Sequence, residues 1–396
     1  MKLLAPRWRK VLRDLWSNKT RTVLVLLSIA VGVSAIGMVM GSQIIVDQNL
    51  PEAYAAVNPA SGNIFTLSTF DDEMVEAVRA MDEVSAAEGR RIVNVRFLTK
   101  SGEWRSLQLN AISDYEEITI NKIHAETGAY PPPHRELLLE RASVAASLGL
   151  GDVAIGDTLL VETPGGKQRE LRIAGTVHDL GQLPAFINGA GYGYITFETL
   201  EWLGEPRDYN QLLFVAAENK LDLDHVTAVS KLIENRLESA GVDVIFAFIP
   251  PPGEHPAQNF LDAFSLILGA IGGLALGLSG FLIINTLSAI LAQHVRQIGI
   301  MKAIGARAGQ IAAMYLVMVL LFGALALLIA IPLGAVGAVG LANIFAGMLN
   351  FDVGGVRLDP QVVLVQVVIG LAAPILAALL PILRGVRITV REAVSE

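Results

Sequence analysis

Cysteine is absent from this chain of 396 residues, so disulfides, thiolate metal sites and cysteine nucleophiles are all excluded. The phosphate-binding signature G-x-x-x-x-G-K-[ST] is missing too: Gly165-Gly166-Lys167 has Val161 at the first glycine position and Gln168 after the lysine. The histidines are scattered without an H-E-x-x-H motif, and no G-x-S-x-G nucleophile elbow occurs. We therefore expect a non-catalytic chain that binds neither a cofactor nor a metal ion itself.

Charge is absent from four long apolar runs, which are residues 22–46, 263–293, 308–351 and 360–383. About 20 mostly apolar residues suffice to cross a bilayer. The third run would make a helix about 66 Å long at about 1.5 Å per residue, so it either crosses twice or crosses once and continues outside. No ionisable residue lies at mid-depth in any run, which argues against an ion- or proton-coupled transporter.

Basic residues decide between these two topologies. They concentrate before the first run, at Arg296, Lys302 and Arg307 between the second and third runs, and in the tail after residue 383. The positive-inside rule places all three segments in the cytoplasm, which requires a single crossing for the third run. We predict an integral membrane protein of the inner or plasma membrane with both termini cytoplasmic. Its four transmembrane α-helices, one plus three, span residues 22–46 and about 263–292, 310–340 and 361–383.

The first 21 residues precede the first span. Apolar residues recur there at three- and four-residue steps with basic residues between them, which predicts an interfacial helix; ordinary basic flanking is the alternative. Trp8 and Trp16 suit the headgroup layer, with Arg21 at the start of the span. Because the apolar run is longer than a signal peptide's, we expect an uncleaved anchor.

Residues 47–259 form a large acidic insert between the first and second spans. The insert contains 32 Asp and Glu against 16 Lys and Arg, which is no signal for nucleic-acid binding. Strand and helix patterns alternate, so we predict an α/β extracytoplasmic domain in two parts. Hairpins are expected across Lys100-Ser101-Gly102 and across Pro164-Gly165-Gly166. The first helix should continue to about Leu50, where Pro51 interrupts it.

Glycines recur at four-residue steps in the second span, at Gly269, Gly273 and Gly277. This spacing puts all three on one helix face and predicts close helix packing, although scattered glycines in a glycine-rich chain are the alternative. Gly32, Gly37 and Gly41 offer similar small surfaces in the first span. In the fourth span, Pro374 and Pro381 should kink or end the helix.

The loop between the second and third spans has the sharpest pattern. Ile298, Met301 and Ile304 are spaced by three, and Ile300 and Ile304 by four. We predict a short helix over residues 294–308 with an exposed apolar ridge edged by Arg296 and Lys302. Such a ridge is a docking surface for another protein; an interfacial helix pressed onto lipid is the alternative.

The same loop resembles a known motif. Residues 293–307 resemble the R-x-x-E-I-G-I-L-x-A-I-G-A signature of FtsX-like permeases, the membrane subunits of type VII (MacB-like) ABC systems, with Gln297 in place of the usual glutamate. Residues 15–24 resemble the family's L-x-x-N-K-x-R-T-x-L start of the first span. Residues 130–160 resemble a passage of its extracytoplasmic domain, and residues 384–393 its ending, with Val390 in place of proline.

This resemblance implies a fold and a role. Residues 47–259 would be a MacB-like periplasmic core domain and residues 260–396 an FtsX-like permease domain. Two permease chains would pair, as a homodimer or a heterodimer, in membrane lipid, and a separate ABC ATPase would bind ATP and Mg²⁺. The coupling helix that docks on the ATPase would comprise Arg296, Gln297, Ile298, Gly299, Ile300, Met301, Lys302, Ala303, Ile304, Gly305 and Ala306.

Three functions remain open from the sequence. The first is a permease subunit that couples ATP hydrolysis in its partner to extracytoplasmic movement, and so exports or extracts a substrate by mechanotransmission. The second is a regulatory permease that relays ATPase motion to an external cell-wall hydrolase without cargo. The third, a membrane-anchored scaffold without an ATPase, leaves the coupling motif unexplained.

Overall fold

The computed structural model describes residues 19–144, 148–151, 153–354 and 359–387. The chain separates into two compact units. The helix unit comprises the described residues within 1–46, 261–343 and 354–396, and the sheet unit comprises those within 47–260 and 344–353. Residues 344–353 include the end of the third apolar run, so the sheet unit takes in a segment beyond the acidic insert.

The helices are α1 Lys19–Ala56, α2 Asp72–Arg79, α3 Ala185–Asn188, α4 Phe197–Leu203, α5 Leu223–Ser239, α6 Gln258–Gln293, α7 Val295–Ala303, α8 Ala308–Leu349 and α9 Pro360–Val386. In the part of the chain that the structure describes, four of them are long and apolar enough to cross a membrane: α1, α6, α8 and α9. The predicted one-plus-three layout is confirmed, and the third run is one continuous helix.

Prolines end neither α1 nor α9. Helix α1 continues past Pro51 to Ala56, so the prediction of an interruption at Pro51 is wrong. Leu50 and Tyr54 beside this proline are almost fully buried in the sheet unit, and this packing offsets the hydrogen bond that the proline removes. Helix α9 contains both Pro374 and Pro381. A helix that ended inside a bilayer would leave backbone N–H and C=O groups without hydrogen-bond partners, because no water is present there. This cost favours a continuous helix.

Small residues set the packing of the helix unit. A Cβ atom placed on Gly41 of α1 would lie 2.7 Å from the Cβ of Ala338 in α8, and one on Gly323 of α8 would lie 2.6 Å from the carbonyl oxygen of Gly370 in α9. The buried Gln366 side chain donates from Nε2 to the carbonyls of Val33 at 3.4 Å and Ala330 at 3.3 Å. The close approach of α1, α8 and α9 therefore depends on glycines, which have no side chain to hold the backbones apart.

The strands of the sheet unit are β1 Gly62–Phe70, β2 Val84–Leu98, β3 Trp104–Ile112, β4 His124–Gly128, β5 Glu136–Glu140, β6 Thr158–Glu162, β7 Gln168–His178, β8 Gly191–Thr196, β9 Tyr209–Ala216 and β10 Val244–Phe248. Their order is β10-β1-β9-β2-β3-β8-β5-β7-β4, and β6 pairs with both β2 and β7. Strands β2, β3, β8, β5, β7 and β6 therefore close into a ring. Strand β2 also pairs with β9, which joins this ring to β1 and β10. The insert belongs to one compact unit, and its division into two parts stays a prediction.

Both predicted hairpins are confirmed. Strands β2 and β3 pair antiparallel from Arg91↔Ala111 to Leu98↔Trp104, and β6 pairs antiparallel with β7. A 3₁₀ turn, Arg141–Val144, follows β5, and residues 145–147 lie outside the described part of the chain. Strands β4, β8 and β9 and helix α4 were not predicted.

Candidate functional site

The short helix α7 lies between α6 and α8 and contains most of the predicted coupling residues. It begins after His294 and ends at Ile304, followed by Gly305 with a φ of +100°. The backbone N–H of Gly305 donates to the carbonyl of Lys302 at 3.0 Å, and that of Ala306 to the carbonyl of Met301 at 2.9 Å. This pair of bonds is a Schellman motif, which requires the left-handed conformation that glycine adopts freely.

One face of α7 is fixed to the helix unit. Ile298 is 0% exposed and packs in the same apolar cluster as Tyr315 of α8 and Val386 of α9. Gly299 is also buried. Lys302 donates from Nζ to the carbonyl of Val386 at 2.6 Å, a charge-assisted bond at the end of α9. These contacts join α7 to α8 and α9, so α7 cannot be displaced without them.

The opposite face of α7 is open. Ile300 is 53% exposed and Ile304 is 81% exposed. The neighbouring residues Arg296, Gln297, Ala303, Gly305 and Arg307 are exposed as well. We call this set of residues the α7 outer face. Two adjacent isoleucines with basic and amide groups around them form an apolar centre with a polar rim, an arrangement found in protein interfaces.

The exposed ridge of α7 differs from the predicted one at Ile298, Met301 and Lys302. The prediction that Ile298 belongs to the exposed ridge is wrong, because its side chain lies inside the apolar cluster of the helix unit. Met301 is half-buried against the same cluster, and Lys302 bonds to α9 rather than edging the outer face. A three-residue step advances a helix by about 300°, so residues 298, 301 and 304 drift around the axis instead of sharing one face.

Sequence reasoning missed a polar contact at the start of α7. His294 is buried, and its Nδ1 lies 3.2 Å from the Oη of Tyr315 in α8. The backbone N–H of His294 also donates to the carbonyls of Ile290 and Leu291, both at 3.1 Å. The sequence signal was a lone histidine at the end of a long apolar run, 21 residues before the tyrosine. This contact fixes the turn from α6 into α7.

The glycines predicted to form a packing face have no neighbour in the described chain. Around the Cβ positions of Gly269, Gly273 and Gly277 there is open space within 4 Å. Large apolar side chains beside them are exposed, including Leu266 and Leu274. Close helix contact at these three glycines therefore stays a prediction.

The predicted interfacial anchor lies almost entirely outside the described residues. Trp8 and Trp16 precede residue 19, where the description begins. The backbone of Arg21 belongs to α1. The closing segment that carried part of the family resemblance, residues 388–393, lies outside the described residues too.

The sheet unit contains a buried polar cluster that the sequence did not indicate. Glu140 at the end of β5 accepts hydrogen bonds from the backbone N–H groups of Ala142 and Ser143, at 3.0 and 2.9 Å, and from the side-chain amide of Asn350. Asn350 also donates to the carbonyl of Asp179 at 2.9 Å. Desolvation by burial raises the pKa of Glu140 to about 7, against the opposing effect of these hydrogen bonds.

Arg141 and Asn350 complete this cluster. The Arg141 side chain reaches Asp352 at 3.1 Å and Glu126 at 3.4 Å, and it donates from Nε to the side-chain oxygen of Asn350. Asn350 has a φ of +63°, a conformation that asparagine tolerates better than most residues. Residues 344–353 are thus held in the sheet unit by hydrogen bonds. Over the described residues no group of His, Asp and Glu side chains is arranged to hold a metal ion.

Comparison with protein families gives a match in the C-terminal region. Residues 269–390 match the family model described as "FtsX-like permease C-terminal". The matched stretch contains most of α6 and the whole of α7, α8 and α9, and therefore includes the α7 outer face. No curated protein matches the chain.

Two solved structures are similar to part of the chain. The extracellular domain of the noncanonic ABC-type transporter YknZ from Gram-positive bacteria matches at 13% identity and a TM-score of 0.33, covering 47% of this chain and 100% of that chain. The periplasmic region of MacB from Actinobacillus actinomycetemcomitans matches at 10% identity and a TM-score of 0.33, covering 50% and 92%. Residues 269–390 are therefore similar to the C-terminal domain of FtsX-like permeases, and a further apolar helix and the sheet unit precede them in the sequence.

Proposed function

We propose that this chain is the membrane subunit of an ABC transporter and that a separate ATPase moves it by binding to the α7 outer face. ATP and Mg²⁺ are bound by that ATPase. Both termini and α7 lie in the cytoplasm, where the positive-inside rule places their basic residues. Closure of the ATPase displaces α7, and the chain exports or extracts a substrate by transmitting this motion to the extracytoplasmic side.

The two-faced environment of α7 carries this proposal. Its inner face, with Ile298 and Lys302, is packed and hydrogen-bonded to the helix unit. Its outer face exposes Ile300 and Ile304 inside a polar rim. A helix that only closed a loop would need the first property but not the second. The coupling motif lies within the FtsX-like match, which supports the same assignment.

Continuous helices support transmission rather than passage of cargo through the membrane core. Helix α8 runs unbroken through Ala308–Leu349, and α1 runs through Lys19–Ala56. The last residues of both helices are assigned to the sheet unit. Within the described apolar runs of the long helices there is no Asp, Glu, Lys, Arg or His that would serve an ion or proton pathway. Displacement at the cytoplasmic end of such a helix reaches its other end because the helix is stiff.

Pairing of two permease chains is part of the proposal. Gly269, Gly273 and Gly277 leave an open stripe on α6 with exposed leucines beside it. In lipid, helix association favours such stripes, because small residues let two backbones approach closely. We assign this stripe to contact with a second permease chain, identical or related.

The test is co-purification of this chain with the ABC ATPases of the same organism. Ile300→Asp and Ile304→Asp each place a charge at the centre of the proposed interface, and Ile155→Asp is the matched control, since Ile155 is similarly exposed in the sheet unit. We expect the α7 variants to bind the ATPase more than about 10-fold more weakly than wild type and to lose transport-linked ATPase stimulation, because a buried unpaired charge is costly.

The control variant should bind the ATPase like the wild type, and all variants should show unchanged unfolding temperatures. Undiminished ATPase association of both α7 variants would exclude the coupling role and leave the interfacial helix on lipid as the explanation of the ridge. The mass of the wild-type complex separates the stoichiometries: two permease chains per complex are expected, and a single chain would contradict pairing.

A further inference from the structure

The sheet unit has a second face, opposite the one that packs against helices α2 and α5. Along β1 and β9, alternate side chains such as Ile64 and Leu212 point into the main apolar core with α2 and α5. The residues between them point to the opposite face. There the strands β10, β1, β9, β2 and β3 line a cavity of about 280 Å³, roughly the lower end of the size range of small-molecule sites.

Aromatic and aliphatic side chains form much of the cavity wall. Phe65 of β1 and Phe246 of β10 stack with their ring centroids 4.7 Å apart. Phe248, Leu213 and Tyr192 add further apolar surface. A flat apolar ring of a ligand would find offset-stacking and edge contacts here, which add to the gain from burying its surface.

Two carbonyl oxygens in the cavity lack a hydrogen-bond donor. The Oε1 atom of Gln211 and the Oδ1 atom of Asn63 are buried and have no partner among the described residues. Gln211 is only 6% exposed. Because Phe65 lies opposite Gln211 and Asn63 opposite Leu213, the two amides are diagonal neighbours on adjacent strands. An unpaired buried acceptor is costly, so a site of this kind favours a ligand that supplies N–H or O–H donors.

The charge of the lining restricts the ligand further. Arg90 of β2 is the charged residue in the described lining, and Asp and Glu are missing from it. Its guanidinium donates to the carbonyls of Ile120 at 2.7 Å and Asn121 at 3.2 Å, and lies 3.7 Å from Glu88. These contacts fix the guanidinium in place, and its positive charge disfavours a cationic ligand.

We propose that this cavity is a binding site for a small neutral molecule that carries an aromatic ring and an amide N–H donor next to it. The ring packs against Phe65 and Phe246, and the donor bonds to Gln211. The site does not depend on coupling to an ATPase. Binding is measured on the permease alone, so failure here and failure of the proposed coupling are separate results.

The experiment compares two ligands of the same shape that differ in the donor: 3-phenylpropanamide and its ester analogue methyl 3-phenylpropanoate, which has no N–H group. The full chain in lipid nanodiscs is titrated with each ligand by saturation-transfer NMR, and empty nanodiscs correct for partition into lipid. We expect the amide to bind about 5-fold more tightly than the ester, the effect of one hydrogen bond to a buried acceptor.

Variants assign this preference to the cavity. Gln211→Leu should bring the ratio of the two affinities to about one, whereas Gln168→Leu, at an exposed glutamine of β7, should leave it unchanged. Phe246→Ala alters a half-exposed ring and should weaken both ligands while keeping their ratio. The last variant remains informative if Gln211→Leu fails to fold.

Four results would overturn the proposal. The first three are equal affinities of the wild type for the amide and the ester, a ratio that Gln211→Leu does not change, and undetectable binding of both ligands up to their solubility limits. The last of these three would mean that the cavity holds water only. Retained affinity for both ligands in Phe246→Ala would likewise place their binding elsewhere.

Discussion

The sheet unit and the helix unit distinguish inside from outside in different ways. In the sheet unit, strand residues can alternate between buried apolar and exposed polar, as residues 93–97 of β2 do. In the helix unit, many leucines and isoleucines face outward: Leu266, Leu328 and Leu376 are highly exposed. There the inward positions are marked by small residues such as Gly41 and Gly323. Hydrophobicity therefore identifies the core residues of the sheet unit. In the helix unit it identifies which segments are helices, but not which of their residues are buried.

This difference has a simple physical origin. In water, an apolar side chain gains free energy by moving inside, so the inner face of an element is the apolar one. In lipid, both faces of a helix must be apolar, and packing is decided by which surfaces allow backbones to approach. Polar residues buried in the helix unit are accordingly few and uncharged in the described spans, such as Gln366, whereas the sheet unit buries Arg90 and Glu140.

The largest expected effect comes from filling a glycine at a helix contact. Gly323→Leu places a side chain against the backbone of Gly370, and we expect a loss of about 3 kcal/mol or more in unfolding free energy, since neither backbone can move aside cheaply. Gly273→Leu is the matched change in open space and should retain full stability. Both are measured by unfolding in lipid nanodiscs.

Gly273→Leu also sharpens the comparison between the two glycine faces. If the α6 stripe contacts a second permease chain, this variant folds normally but reduces the fraction of paired permease in the complex mass. Equal loss of stability in Gly323→Leu and Gly273→Leu would contradict the assignment of α8 as the packed face and α6 as the open face.

A smaller effect on the unfolding free energy is expected when the pH is changed, because of Glu140 in the sheet unit. Burial raises the pKa of Glu140 to about 7 in the folded chain, so the folded state holds this proton more tightly than the unfolded state does. The resulting stabilisation is complete below the unfolded pKa of about 4.3 and is lost as the pH rises through about 7. Between pH 5 and pH 8 the unfolding free energy should fall by about 2 kcal/mol from this group.

Tryptophan fluorescence during urea unfolding at several pH values measures this slope. Glu140→Gln should remove it, whereas Glu170→Gln, at an exposed glutamate of β7, should retain it. A slope that persists in Glu140→Gln would assign the pH dependence to other groups and would refute a raised pKa of Glu140.

The smallest effects are expected around α7. Gly305→Ala forces alanine into a left-handed conformation and should cost about 1 kcal/mol, because the Schellman motif after α7 requires that conformation. Gly309→Ala, four residues later in the first turn of α8, has open space around its Cβ position and should be neutral or slightly stabilising. Unfolding measurements on both variants check the pair, and equal costs would show that the motif has no special role.

Local patterns were predictable from the sequence in the sheet unit, and long-range pairing was not. The two hairpins follow from turn residues between short alternating runs. Strand β9 was missed because it is buried on both faces and shows no alternation. Strand β4 is exposed along its whole length, and β8 contains two glycines. Neither has the apolar alternation that predicts a strand.

The candidate site was predictable as a segment but not as a surface. The loop pattern identified α7, and the family resemblance named its residues. Which isoleucines face outward depended on packing: Ile298 lies against α8 and α9, and Ile300 and Ile304 do not. The Glu140 cluster and the Gln211 cavity each join residues far apart in the chain, and no local pattern reports such contacts.

The sequence by itself determined the four apolar helices, the acidic insert between the first two and the short basic segment that forms α7. These follow from length and composition, because a span must be about 20 apolar residues long wherever it packs. Only the tertiary structure decided which glycines pack, which isoleucines of α7 stay exposed and which amides of the sheet lack a partner. Those outcomes depend on neighbours supplied by distant parts of the chain, and in lipid hydrophobicity does not distinguish one helix face from another.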